Sequence, residues 1–228
     1  MRSLFPPLAT LLAAASAAAL AAAVAGCGSG GTEVQQTNPI ACRRVAQPES
    51  RSVPAHRRST AMLSGQLTWT ATVATNCGTF EITLDAAHQP RTTGSFATLA
   101  RAGFYDGLAF YRIARDFVIQ GGDPTNQGAG GPGYTITEEP PRGTRYTAGT
   151  VAMAKTGAEP PGTSGSQFFV VTGPDAEQLP PQYALLGYVS SGLEVIDAIN
   201  RMPVQNSDPQ GAPPVDPVVI EQVTIAHD

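Results

Sequence analysis

From residue 67 to 75 the chain alternates apolar and polar positions. Leu67, Trp69, Ala71 and Val73 are interleaved with Thr68, Thr70 and Thr72. A period of two over this length predicts a half-buried strand. Asn76-Cys77-Gly78 supplies a turn, and 79–84 returns as a second strand, giving a β-hairpin. The period then changes. Phe96, Leu99 and Ala100 stand at i, i+3 and i+4, which predicts a helix over 94–102, capped by Thr92 or Thr93 and stopped by Gly103. Two short apolar runs follow, 108–113 and 117–119, joined by the polar bend Ala114-Arg115-Asp116. Strict alternation puts Phe110, Arg112 and Ala114 on one face, and Tyr111 and Ile113 on the other. A glycine-rich loop comes after Asp123. Further strands are predicted near 134–137, 149–154, 167–171 and 183–189. Leu193, Ile196, Ala198 and Ile199 mark a last helix, and 218–226 a last strand. About eight strands and two helices suit a mainly β fold: a closed antiparallel eight-stranded barrel with a helix covering each end.

Composition supports that picture. The 228 residues include 24 glycines and 20 prolines, which favours a loop-rich β architecture over a helical bundle. The length allows one domain plus appendages. Those appendages lie at the N-terminus. Arg2 precedes a leucine- and alanine-rich run at 8–25, closed by Val24-Ala25-Gly26-Cys27. This is the pattern of a secretory signal peptide, although the run is almost long enough to be an uncleaved anchor helix. Val-Ala-Gly-Cys resembles the bacterial lipobox, which implies lipidation of Cys27. The resulting division is 1–26 lipoprotein signal peptide, 27–66 lipid-anchored flexible linker and 67–228 folded domain, exported and held at the outer face of the cell membrane. Gly28-Ser29-Gly30-Gly31-Thr32 suits a flexible tether.

Charge separates the last two segments. Residues 28–66 carry a net +3 and residues 67–228 a net −8. The basic linker is either a solvated segment or an arm that lies on anionic headgroups. The acidic domain argues against nucleic acid as a partner. With Cys27 lipidated, Cys42 and Cys77 remain, and an even remainder outside the cytoplasm suggests a Cys42–Cys77 disulfide, the alternative being two free thiols. His56, His88 and His227 are scattered without ligand spacing, so neither metal nor cofactor is expected.

The candidate chemistry lies in FYRIARDFVIQGGD, residues 110–123. An arginine in an apolar β segment is costly to bury unpaired; an edge-strand arginine with a solvated head is the plain alternative. Gln120-Gly121-Gly122-Asp123 directly follows, where two glycines allow close backbone approach. A second stretch, Gly165 to Val171 (GSQFFVV), answers the first. Two tempting motifs fail. Gly128, Gly130 and Gly133 match G-x-G-x-x-G, but no strand leads from them into a helix and Pro132 interrupts them. Ser164-Gly165-Ser166 does not give G-x-S-x-G, and no histidine is placed to serve as a base.

Together with VAMAK (151–155) and LLGYV (185–189), these blocks resemble the signatures of the cyclophilin family of peptidyl-prolyl cis-trans isomerases, in order and from about residue 67 to the C-terminus. The resemblance implies an enzyme that rotates Xaa-Pro bonds; with the N-terminal signal, its substrates are expected to be exported polypeptides, and a monomer is expected. The alternative is a proline-binding, chaperone-like module with little turnover. The family resemblance implies Arg112 as the catalytic cation, with Gln120 orienting it and Phe117 lining the proline pocket. Tyr111, Val118, Ala154, Lys155, Gln167, Phe169, Leu179 and Tyr183 would contact substrate. Departures from the family pattern are Tyr111 and Tyr183 in place of histidines, Val118 for a larger residue, Lys155 for asparagine and Gln178 for the tryptophan that binds cyclosporin in eukaryotic members. The last implies weak cyclosporin binding.

Overall fold

A computed structural model describes residues 40–52 and 54–228. Ten strands and two helices follow one another: β1 Trp69–Thr75, β2 Gly78–Leu84, α1 Pro90–Arg101, β3 Phe110–Ala114, β4 Val118–Gly121, β5 Ile136–Thr137, β6 Thr150–Met153, β7 Thr163–Ser164, β8 Phe168–Val171, β9 Leu185–Ser191, α2 Leu193–Asn200 and β10 Ile220–His227. Eight strands form one curled sheet in the order β10-β1-β2-β9-β6-β8-β4-β3, antiparallel at every pairing, while β5 and β7 form a separate two-stranded ribbon.

The sheet is a half-barrel rather than the expected closed one. No ladder joins its edge strands β3 and β10. Two isolated antiparallel bridges, Ala109 with Val219 and Ile113 with Ala212, close the seam; beside the first, Phe110 N–H donates to Val218 O and Ile220 N–H to Leu108 O, both at 2.8 Å. Twist carries the edges together, but 203–217 enters as irregular chain and shortens the contact.

The interior is packed by rings. Phe96, Tyr105 and Phe110 lie 5.9, 6.0 and 5.8 Å from Phe168, all edge to face, the geometry that aromatic quadrupoles favour. Helix α1 begins earlier than its periodicity suggests. Pro90 occupies its first turn, where a missing N–H costs nothing. Its free N–H groups at Arg91 and Thr92 donate to the Glu138 carboxylate, at 3.2 and 2.7 Å. That cap comes from a distant loop and displaces Thr92 and Thr93 from the capping role into the helix.

Residues 40–52 and 54–66, expected to form part of a flexible linker, instead run as a strap along the domain. Cys42 is disulfide-bonded to Cys77. Arg43 N–H donates to Asn76 O, Arg51 N–H to Pro124 O and His56 N–H to Pro132 O. Leu63 is buried in the core. The strap passes so close to α1 that a Cβ on Gly94 would stand 2.2 Å from Ala61 O. An irregular segment that finds partners for its backbone gives no periodic signal, which is why composition alone reads as linker. No helix among the described residues is long and apolar enough to cross a membrane. Residues 1–39, with the expected signal segment and Cys27, lie outside the described residues.

Candidate functional site

The site lies on the outer face of β3, β4, β8 and β6. Successive residues of a strand face opposite ways. Ile119, Phe168, Val170, Val151 and Met153 point into the barrel core, whereas Val118, Phe169, Val171 and Ala152 form a second apolar cluster outside it. Strand β3 breaks the rule. Phe110 pairs with Gly121 but Arg112 pairs with Gln120, so Tyr111 is an extra residue in β3. This β-bulge corrects the expected faces. Phe110 joins Ile113 inside the barrel, while Arg112 is turned outward with Ala114. Bulges beside functional sites commonly re-aim a side chain in this way.

Arg112 is held from two directions. Its Nη1 donates to Gln120 Oε1 at 2.7 Å, and its Nε to Gln210 O at 2.5 Å. Burial lowers its pKa from the ordinary value, while Tyr111, Tyr183 and Asp208 oppose that shift; an arginine stays charged under such conditions. The guanidinium stands 5.8 Å from the centre of the Phe117 ring, at the edge of a cavity of about 290 Å³. Nine of the eleven residues expected to act on substrate line this cavity: Arg112, Phe117, Val118, Gln120, Ala154, Lys155, Phe169, Leu179 and Tyr183. The two others stand behind it. Gln167 lines an adjoining cavity of about 550 Å³ that shares Gln120, Ala154 and Lys155 with the first. Tyr111 lines neither; its hydroxyl donates to Gln167 Oε1 at 2.5 Å and accepts from Gln120 Nε2.

These contacts make a continuous chain. Gln120 links Arg112 to Tyr111 and Gln167, and Gln167 Nε2 donates to Gly128 O and Gly130 O at 3.1 and 2.9 Å. The glycine-rich loop is itself fixed by Asp123, fully buried, whose carboxylate accepts the N–H groups of Thr125, Gln127 and Gly128 and the Thr125 hydroxyl. Gly122 enters this loop at φ 85°, and a Cβ there would lie 2.6 Å from Ser166 O, so glycine is needed on both counts. Burial, with Asp123 nearby, raises the Tyr111 pKa well above the ordinary phenol range, against the opposing Arg112.

Two contributors carry no sequence motif. Gln210 reaches Arg112 through its backbone carbonyl from the irregular segment before β10. Tyr146, buried, donates its hydroxyl to Tyr183 O and accepts from Tyr183 N–H, at 2.7 and 2.9 Å, and so places the Tyr183 ring. Burial pushes the Tyr146 pKa up to about 12. Only an aromatic residue in a turn-rich stretch hinted at it. Gln178 ends a short 3₁₀ turn, Pro174–Gln178, and is exposed. Among the described residues no group of three His, Cys, Asp or Glu side chains could hold a metal ion.

Comparison with known proteins follows the same lines. A family model described as cyclophilin type peptidyl-prolyl cis-trans isomerase/CLD matches residues 70–225. The chain is 41% identical over 140 residues to the peptidyl-prolyl cis-trans isomerase-like 1 of Neurospora crassa, covering 60% of this chain and 83% of that protein. It is 37% identical over 177 residues to the peptidyl-prolyl cis-trans isomerase A of Mycobacterium tuberculosis, covering 70% and 93%. The crystal structure of a Cryptosporidium parvum cyclophilin type peptidyl-prolyl cis-trans isomerase in the presence of the dipeptide Ala-Pro superposes with a TM-score of 0.62 at 29% identity, covering 70% of this chain and 99% of that one.

Proposed function

The chain belongs to the cyclophilin-type peptidyl-prolyl cis-trans isomerases, and from that footing we propose that its groove turns Xaa-Pro bonds in exported polypeptides, with Arg112 as the catalytic group. The observation that carries this reading is the position of Arg112, fixed by Gln120 and Gln210 at the edge of an apolar cavity lined by Phe117, Val118, Phe169 and Leu179. A proline ring fits such a cavity. Rotation about its amide meets a barrier of about 18–20 kcal/mol, because the C–N bond has partial double-bond character. As the bond twists, the prolyl nitrogen pyramidalises and regains its lone pair. A guanidinium has five N–H donors, and two of those on Arg112 are already engaged. The others are free to meet that lone pair, an interaction stronger in the twisted state than in the planar one. No bond breaks, so the chemistry asks for neither a nucleophile nor a redox group.

The Tyr111–Gln120–Gln167 chain supports the reading by limiting the rotamers open to Arg112. Substrate contact by Ala154, Lys155, Leu179 and Tyr183 is part of the same proposal, resting on their place in the cavity wall. Lipidation at Cys27 and attachment to the outer face of the cell membrane rest on the apolar run at 8–25 and the Val-Ala-Gly-Cys that ends it.

The test is the cis-to-trans rate of a short Xaa-Pro peptide with protein from residue 28 onward. Acceleration should fall at least tenfold in Arg112→Ala, about 1.4 kcal/mol of barrier. Peptide binding without acceleration would instead favour the chaperone-like module. Labelled fatty acid should enter the full chain and leave Cys27→Ala unlabelled; equal labelling would reject the anchor.

A further inference from the structure

On the isomerase reading the small cavity receives a proline, and the larger one beside it is the next place along a bound chain. The two share a wall made of Gln120, Ala154 and Lys155. Consecutive Cα atoms are 3.8 Å apart, so a peptide whose proline fills the first cavity places a residue one or two positions away in the second. The lining of that second cavity is mostly glycine-loop backbone, and its charged groups are Lys155 and Glu159.

Lys155 is the only lysine in the chain. Its Nζ donates to Thr156 O and Glu159 O, both at 3.1 Å, and stands 5.5 Å from the centre of the Tyr183 ring. Two neutral carbonyls orient the ammonium without cancelling its charge, and one of its three N–H groups stays available. The Glu159 carboxylate is turned to its own loop, where Oε2 accepts the Thr156 N–H at 2.6 Å and the Thr156 hydroxyl at 2.9 Å. The cation is thus held half-buried at the junction of the two cavities, on a domain that is otherwise acidic.

We propose that Lys155 selects substrates that carry a carboxylate side chain next to, or one residue removed from, the isomerised proline. This deepens the isomerase reading and rests on it. A partly exposed ion pair gives a modest preference, and charge-assisted hydrogen bonding adds direction to it. Because Glu159 lines the same cavity, it works against an acidic side chain, and removing its charge should strengthen the selection.

The experiment uses proline peptides that differ only in Glu, Gln or Lys at each of the two positions on either side of the proline. Relative kcat/KM is compared for the parent, Lys155→Gln and Glu159→Gln proteins. At one of these positions the parent should prefer Glu over Gln by about three- to fivefold. That ratio should fall to one or below in Lys155→Gln, where the Glu159 charge is left alone, rise in Glu159→Gln and shrink in 1 M salt. Equal rates for Glu and Gln at every position in the parent would overturn the proposal and leave the isomerase reading intact. A uniform loss across all peptides in Lys155→Gln, with the Glu-to-Gln ratio kept, would also overturn it, by making Lys155 a clamp for its loop. Acceleration of no peptide at all would bring down the isomerase reading and this proposal with it.

Discussion

Phe168 and Phe169 are neighbours in one strand and live in different worlds. Phe168 is fully buried inside the barrel, with three aromatic rings set edge-on around it. Phe169 looks outward to Tyr146 and Tyr183, at 6.4 and 5.4 Å, and lines an open cavity. The inner face of the sheet is covered by side chains of the chain itself. The outer face stops short, leaving rings, a cation and glutamines facing a space. The same alternation that builds a core on one side builds a recognition surface on the other, and stability and function are divided between faces rather than between segments.

The sharpest test of that division is the pair Phe168→Ala and Phe169→Ala. Emptying the interior site should cost about 3–5 kcal/mol of stability, read from denaturant melts. Phe169→Ala should cost less stability but lower kcat/KM of the folded protein more. Equal effects in both assays would erase the distinction. The Cys42–Cys77 bridge belongs to the stability side; replacing both cysteines by serine should lower stability by about 2–4 kcal/mol and leave the Arg112 environment unchanged. On the outer face, Arg112→Lys keeps the charge but loses the fork that spans Gln120 and Gln210. A loss of about tenfold in kcat/KM, or about 1.4 kcal/mol, is expected, and full activity would mean that charge alone suffices. Tyr111→Phe removes the hydroxyl joining Gln120 to Gln167 and should cost a few-fold in kcat, with little change in KM. Alkali acts on both faces. Tyr105 inside, and Tyr111 and Tyr146 outside, have raised pKa values owing to burial. The unfolded chain releases those protons first, near pH 10, so their contribution is intact below that pH. It should fade as pH rises toward about 12, the value to which Tyr146 is pushed. Flat stability across that window would contradict it.

Much of this was legible in sequence, and the misses have a common cause. Alternation located the first hairpin, and the spacing of Phe96, Leu99 and Ala100 located the first helix. Five of the nine cavity residues, Arg112, Phe117, Val118, Gln120 and Phe169, come from the two signature blocks, which meet because β4 pairs directly with β8. What local pattern could not carry is non-local partnership. A bulge at Tyr111 is decided by the strand opposite, and it reversed the face assigned to Phe110. The cap on α1 is a glutamate from a distant loop. Gln210 contributes only its carbonyl, an atom that every residue has. The strap makes irregular backbone contacts, which have no period to detect.

The strap also sets a leash. Were the whole segment up to Leu67 free, an anchor at Cys27 would let the domain roam across 40 residues of chain, about 135 Å when drawn taut. Fastened at Cys42, only 15 residues separate lipid from fold, about 50 Å at most. On the lipid-anchor proposal, the groove is therefore confined to a thin layer beside the membrane.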